Sequence, residues 1–289
     1  MIKIDKANHV FNMSISNAPA QYCHSGETVK FETMDCFSNV LIPEGTEFEV
    51  DLLKNTNPAT GPLYIYDCQI GDTLKIEILD IEVGEVGIFV TGPANALFES
   101  YFEKFTINRI KVKNGVATLP RNMDVPTRPM IGVIGVAIGG SLSTGLPGIH
   151  GGNLDCNDIC KGSTLYLPVF TEGGLLAIGD LHALMGDGEI GECGLEIEGM
   201  VTIRVTVLKG KRIAAPLLET EDFIEIIGLG STLEEASQNA SRHMLDYMIQ
   251  ELNMSENDAA VRVCLCGNLK ICQHVNSVKT VAMRMATPI

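Results

Sequence analysis

The sequence predicts a predominantly β protein with an α+β portion at its C-terminal end. Three observations carry that expectation. Apolar and polar residues alternate with period two at 28–34, 73–79 and 200–208, the pattern of half-buried strands. Turn-rich stretches of Gly and Pro interrupt the chain between such segments. One strong helical stripe stands out, and it comes late, after residue 230.

In chain order, 28–34 places Val29, Phe31 and Thr33 on one face and Lys30 and Glu32 on the other. The segment 73–79 repeats this with Leu74, Ile76 and Ile78. The two stretches also resemble each other: GETVKFETMD at 26–35 and GDTLKIEILD at 71–80. Each reads as a turn glycine, a strand and an aspartate at the strand exit. They are either independent examples of good strand grammar or two equivalent strands of a layered β-structure. NPATGP at 57–62 is a turn-dense loop, 120–129 with three prolines is a connector, and 140–152 is a Gly-rich loop. Strands follow at 163–170, 175–180 and 200–208, the last with Val201, Ile203, Val205 and Val207 alternating.

Ser231-Thr232-Leu233-Glu234 then offers a capping box, in which serine and glutamate side chains each satisfy a backbone amide. Leu233, Ala236, Ala240, Met244, Tyr247, Met248 and Leu252 fall on one stripe behind it. A shorter helix is expected from Ser255 to near Gly267. The division that follows is a β-rich body over 1–215, carrying the site, and an α+β portion over 216–289 packed on it.

Composition narrows the function. The 289 residues are 45% hydrophobic, enough for a large core, and carry a net charge of −15. That balance argues against nucleic acid, whose phosphates need cationic neutralisation, and against anionic membrane surfaces. The opening MIKIDKANHVF lacks the apolar run of a secretory signal, and the greasiest stretch, 130–140, is too short to span a bilayer. Nine cysteines without a C-x-x-C pair read as reduced thiols of a cytoplasmic protein rather than a thiolate metal site. A cysteine nucleophile with a distant histidine stays open as a minor reading. There is no G-x-S-x-G elbow, and no GK[ST] follows the Gly-rich loop. Lys161-Gly162-Ser163-Thr164 lacks the Gly/Ser-rich run of serine–lysine amidases, and His9, His24, His243 and His274 are isolated.

The chemistry-bearing residues gather between His150 and Glu196. Asp180 and His182, two apart at a strand end, would share a face in extended backbone. Glu196 and Glu198 would do the same and repel unless a cation or proton lies between them. Glu189 follows the tight turn Gly186-Asp187-Gly188. His150 precedes two glycines, and Asn153 and Asp155 follow. Taken singly, each has a plainer role as turn cap or solvated charge. Taken together, they form an N/O donor set compatible with zinc, and an oxygen-only subset that suits calcium.

Seven blocks carry a resemblance: NPATGP (57–62), GDTLKIEILDIE (71–82), PMIGVIGVA (129–137), PGIHGGNLD (147–155), GSTLYLPVF (162–170), GDLHALMGDGE (179–189) and LKICQHVN (269–276). In this order and rough spacing, the chain resembles the acetamidase/formamidase family. The resemblance implies hydrolysis of short aliphatic amides to carboxylate and ammonia. It also implies a mostly β fold with jelly-roll-like and barrel-like parts, and a divalent metal, zinc before calcium. The matching polar positions are Asp35, His150, Asn153, Asp155, Asp180, His182, Glu189 and Glu196.

On that basis Asp35, Asp155, His182 and Glu196 are the expected metal ligands, and the metal would lower the pKa of a water that attacks the amide carbon. Asp180 or Glu189 would move the proton. His150 and Asn153 would contact substrate. Met185 stands where some members have Gln, which bears on pocket polarity. The competing readings are a non-catalytic metal or small-ligand binding protein on the same fold, and a hydrolase of another linear amide or a urea derivative. Exposed strands need covering, so a homo-oligomer, a dimer first, is expected.

Overall fold

A computed structural model describes residues 1–93 and 99–288. Two large sheets organise them. The first has nine strands in the order Ile2–Ile4, Thr28–Thr33, Gly199–Leu208, Thr73–Val83, Thr164–Pro168, Leu217–Glu219, Phe223–Gly230, Lys279–Ala286 and Asn268–Gln273. The second has twelve. Its main path runs Met123–Pro126, Val116–Leu119, Thr106–Lys113, Val86–Thr91, Glu196–Ile197, Leu176–His182, Met130–Gly135, Gly151–Asn153 and Pro147–Gly148. Ala59–Ile65 branches from Leu176–His182 and pairs with His9–Val10 and Gln21–Cys23. Among the described residues neither sheet closes into a barrel.

The apolar faces of the two sheets meet. Val29, Phe31, Ile76 and Val201 of the first pack with Ile131, Ile134, Ile178 and Leu181 of the second in one buried cluster. Each such side chain stabilises by about 1.5–3 kcal/mol when fully buried. Alternation along Thr28–Thr33 follows directly: Val29, Phe31 and Thr33 are buried and the residues between them are half-buried.

Both look-alike segments are strands, Thr28–Thr33 and Thr73–Val83, antiparallel on the two sides of Gly199–Leu208, but their shared pattern does not occupy matching register: Phe31 lies opposite Val201, whereas its counterpart Ile76 lies opposite Val205. Their aspartates diverge. Asp35 leaves the first strand, whereas Asp80 stays inside the longer second one and pairs with Lys161 at 2.8 Å. The Gly-rich stretch 140–152 is less irregular than expected. It contains Ser141–Ser143, which pairs with Asn12–Ser14, and Pro147–Gly148, which pairs with Gly151–Asn153. The proline-rich connector likewise contains the strand Met123–Pro126.

Helix α1, Leu233–Gln250, and helix α2, Glu256–Cys266, come where the sequence places them. The capping box of α1 sits one residue later than read. Thr232, not Ser231, is the N-cap, its Oγ1 accepting from the Glu235 amide at 3.1 Å. Glu235, not Glu234, reaches back to the Ser231 amide at 2.8 Å. Both spacings satisfy the motif, and this register buries Ala236, Ala240, Met244 and Met248. The small residues matter at the contact. A Cβ on Gly228 would lie 2.2 Å from the Ala240 amide nitrogen, so α1 rests directly on the strand beneath it. Helix α2 starts at Ser255, whose Oγ accepts from the Asp258 amide at 3.1 Å, and stops before Gly267. Among the described residues no helix is long and apolar enough to cross a membrane.

Candidate active site

Adjacent strands of the second sheet deliver the polar groups to one place. His182 and Glu196 are register partners between Leu176–His182 and Glu196–Ile197. Asp180 lies two residues before His182, but it does not share a face by simple extension. Its φ is +54°, and its Oδ1 meets His182 Nε2 at 3.6 Å. Asp155 follows Gly151–Asn153, where the amides of Leu154 and Asp155 both donate to the Gly132 carbonyl, at 3.0 and 3.3 Å. Glu189 closes the 186–189 turn, its amide donating to the Gly186 carbonyl at 3.3 Å. Asp155 and Glu189 also take positive φ, +45° and +47°. Left-handed backbone at a non-glycine residue costs of order 1–3 kcal/mol and clusters at functional sites.

The side chains form two overlapping groups. Ligand atoms of Asp155, His182 and Glu189 lie within 4.8 Å of one another, as do those of Cys36, Asp180 and Glu196. His182 links them, because its Nε2 is also 3.1 Å from Glu196 Oε1. All six residues are buried. Among the described residues no lysine or arginine pairs with these four carboxylates. The buried atoms without a hydrogen-bond partner include both oxygens of Asp155, Asp180 Oδ1, His182 Nε2, Glu189 Oε2 and Glu196 Oε2. So many unsatisfied buried polar atoms in one place are costly unless a cation, proton or water completes them.

The electrostatics follow from that crowding. Burial, then the charge of Asp180, pushes Asp155 up to about 7. Burial lifts Glu196 to about 7, with His182 pulling the other way. Glu189 is held well above the usual carboxylate range by burial and by Asp155. Burial opposes charge on His182, but Glu196 and Asp180 outweigh it and hold the imidazole well above its usual range. A third group, Cys156, Asp158 and Glu225, is satisfied differently: Lys270, Arg128 and Arg284 pair with Asp158, and Arg284 Nε donates to Glu225 at 2.7 Å.

Asp35 and His150 fall outside both groups. Asp35 Oδ1 accepts from the amides of Phe37 and Asn39, at 3.0 and 2.7 Å, and so shapes its own loop, while Oδ2 has no partner. Burial raises Asp35 to about 6. His150 is fully buried with both ring nitrogens unpartnered, and burial lowers it to about 4. Glu198 does not pair up with Glu196. It accepts from Lys6 at 2.7 Å and Asn39 at 2.6 Å instead.

Several participants carry no signal in the sequence pattern. Cys36 stands next to Asp35, yet its thiol faces Asp180 and Glu196. Asn57 donates to Asp180 Oδ2 at 2.8 Å from 123 residues away. Asn57 opens the turn-dense block at 57–62, so its position was marked, but not its role. Asn157 Nδ2 donates to the Met185 carbonyl at 3.2 Å and to Asp187 Oδ1 at 2.9 Å, tying the Asp155 loop to the Glu189 loop.

A cavity of about 350 Å³ opens on this cluster, lined among others by Phe37, Asn57, Asn153, Asp180, Glu189 and Glu196. Asn153 Oδ1 has no partner there. The arrangement suits a small polar ligand, with carboxylates to move protons and an N/O donor set to hold a divalent cation.

The model of the Acetamidase/Formamidase family matches residues 7–146 and 86–281. A solved structure of an acetamidase from Bacillus halodurans is 39% identical and superposes with a TM-score of 0.94, over 99% of this chain and 97% of that one. A predicted acetamidase/formamidase from Thermoanaerobacter tengcongensis is 36% identical with the same TM-score, over 99% and 95%. The formamidase of Methylophilus methylotrophus is 47% identical over 64 residues, 22% of this chain, and the match spans only 16% of that relative's length.

Proposed function

Because the chain belongs to the acetamidase/formamidase family, by a match over most of its length and by near-complete superposition on two solved relatives, we propose that it hydrolyses linear amides to carboxylate and ammonia. The observation that carries this reading is the set of unpartnered, buried carboxylate and imidazole atoms beside a polar cavity.

Those orphaned atoms fit a divalent cation. His182 would hold it together with Asp155, whose ligand atoms lie within 4.8 Å of the imidazole's, and with Glu196, whose Oε1 is 3.1 Å from His182 Nε2; the mixed N/O donors favour zinc over calcium. Asp35 is less suited, since one of its oxygens is committed to backbone amides. Bound there, the cation supplies Lewis-acid charge that makes water at the site more acidic.

The chain's own residues do the rest. Asn153 Oδ1, unpartnered at the cavity wall, accepts an N–H of the substrate amide and orients it. Asp180, fixed on one oxygen by Asn57, takes the proton of the attacking water through the other. Glu189 lines the same cavity, and its raised affinity for a proton suits it to deliver one to the departing nitrogen, since ammonia must leave protonated. Burial excludes bulk water from these transfers and strengthens each contact.

The direct test is ammonia release from formamide and acetamide on a metal-analysed sample, before chelation, after it, and with zinc restored. Turnover that is lost on chelation and regained with zinc is expected. Full activity in rigorously metal-free protein would overturn the metal reading, and metal-dependent thermal stabilisation without any turnover would favour a binding protein. Asn57→Asp gives a finer check. It keeps the side-chain shape and tolerates the φ of +60°, but replaces a donor to Asp180 with a like charge. Turnover should fall roughly 10–100-fold with the fold intact by circular dichroism. Wild-type turnover would remove Asn57 from the site.

A further inference from the structure

One block of the sequence, LKICQHVN at 269–276, has no part in the site described so far, yet it packs against it. Its strand, Asn268–Gln273, is an edge strand of the nine-stranded sheet and belongs to the α+β portion. It holds the 186–189 turn by backbone bonds. The Gly188 amide donates to the carbonyls of Ile271 and Cys272, at 3.0 and 3.1 Å. The Gly188 carbonyl accepts from the His274 amide at 3.3 Å and from His274 Nδ1 at 2.8 Å. Lys270 reaches further. Its side chain is 11% exposed, and its Nζ donates to Asn157 Oδ1 at 2.5 Å, pairs with Asp158 and lies 3.6 Å from Asp187 Oδ1. Asn157 in turn donates through Nδ2 to the Met185 carbonyl and to Asp187. Met185 sets its sulfur 3.2 Å from His182 Nδ1. Lys270 thus stands where the chain after Asp155 meets the chain before Glu189, and among the described residues it is not part of the polar cavity's lining.

We propose that Lys270 is a positioning residue for the hydrolytic site: by fixing the direction of the Asn157 amide it holds the 185–189 segment, and with it Glu189 and the thioether against His182. The inference rests on the amide-hydrolase reading above and adds a residue that acts on that site without touching substrate. The chemistry of the donors gives the reason. An amide side chain can present either end, but an ammonium can only donate. Lys270 therefore draws Oδ1 toward itself and turns Nδ2 to the Met185 carbonyl and Asp187. Asn157 is buried, so such partners, and not bulk water, set the direction of its amide. Removing the ammonium leaves Asp158 with Arg128 and Arg284, but takes the donor from Asn157 Oδ1. The loss falls on the link to the site more than on the ionic network. Glu189 needs that link because its left-handed backbone, φ +47°, persists only where the surroundings impose it.

The test measures kcat and KM for formamide and acetamide in wild type, Lys270→Met, Lys270→Arg, Asn157→Asp and Arg128→Met. Lys270→Met keeps the stem and removes the donor. Asn157→Asp keeps the shape and the acceptor for Lys270 but loses both donated bonds, so it carries the test should Lys270→Met not fold. Both should lower kcat about tenfold or more with KM little changed, since proton delivery is displaced while the amide's contact at Asn153 is not. Lys270→Arg, which also can only donate, should recover most of the loss. Arg128→Met takes a different cation from Asp158 and should lower stability without lowering kcat. Hydrogen exchange over 185–189 should quicken in Lys270→Met and Asn157→Asp and not in Arg128→Met. Wild-type kcat in either folded variant, or an equal loss in Arg128→Met, would overturn the proposal while leaving amide hydrolysis standing. If wild type turns over neither amide, the hydrolase reading fails instead, and exchange decides alone: faster exchange over 185–189 in Lys270→Met keeps Lys270 as the residue that orders this segment, and unchanged exchange removes it.

Discussion

Replacing Asp155 with asparagine is expected to make the metal-free protein more stable at pH 8, by roughly 2–4 kcal/mol, while lowering turnover about 1,000-fold. Asp155 is fully buried, neither of its oxygens is partnered, and burial with the Asp180 charge lifts it to about 7. An unfolded aspartate ionises near 3.9. Below about pH 4 the carboxyl is protonated in both states and costs nothing. Between about pH 4 and 7 the unfolded chain releases its proton while the folded chain keeps it, so stability declines as pH rises. Above 7 the full penalty of a buried, unpaired charge is present. Asparagine is neutral and nearly isosteric, and it tolerates the φ of +45° at this position at least as well as aspartate.

Urea denaturation of chelated wild type and Asp155→Asn at pH 4.5 and pH 8 checks the sign. The curves should nearly coincide at the lower pH and separate at the higher, with the variant more stable. A variant that is less stable at pH 8 would show that Asp155 is already compensated in the metal-free fold. Adding zinc should stabilise wild type and leave the variant behind, because only the carboxylate rewards the cation. The same residue thus weakens the empty fold and strengthens the loaded one.

The second large effect is expected from a single methyl group. Gly132 lies in the strand Met130–Gly135, and a Cβ there would sit 2.6 Å from Asp155 Oδ1, 2.6 Å from Asp180 Oδ2 and 2.8 Å from the Asp180 carbonyl. Neither carboxylate has room to give way, since both are buried and Asp180 is also held by Asn57. Gly132→Ala should therefore displace two site carboxylates at once, lowering turnover about 100-fold and stability by roughly 1–3 kcal/mol. Gly139→Ala is the control, because a Cβ there meets nothing within 4 Å. Zinc affinity, turnover and the denaturation midpoint of the two variants give the comparison. Near-wild-type turnover in Gly132→Ala would mean that Asp155 and Asp180 need not hold the positions they take here.

Much of the architecture was legible because it is written in local periodicity. Val29, Phe31 and Thr33, or Val201, Ile203 and Val205, alternate because one face of each strand is buried. The two look-alike segments are both strands beside Gly199–Leu208, but their shared pattern did not give their register, since Phe31 and its counterpart Ile76 face different residues of that strand. Helix α1 was visible in its stripe, though its cap was one residue off, because two overlapping Ser/Thr–Glu pairs satisfy the same spacing and only burial against the sheet chooses between them.

The site was legible in its materials and less so in its assembly. His182, Asp155, Glu189 and Glu196 lie in the polar region between 150 and 196, and the fold does bring them together. Glu198 shows the limit of the local argument: strand geometry put it beside Glu196, but Lys6 and Asn39 draw it elsewhere. Asp35 and His150 show another, since both are buried yet stand outside the two ligand groups. Cys36, Asn57 and Gly132 reach the site across long stretches of chain, and no periodicity announces such contacts.

The sequence by itself determined the strands, the late helices, the acidic balance and the residues available for chemistry, because each depends on neighbours a few positions apart. Only the tertiary structure decided which carboxylates converge, which backbone turns left-handed to bring them there, and that a strand from the C-terminal portion holds the Glu189 turn. Like charges do not gather by local preference. They are held together here by two packed sheets whose apolar burial outweighs the repulsion, and that balance exists only in the folded chain.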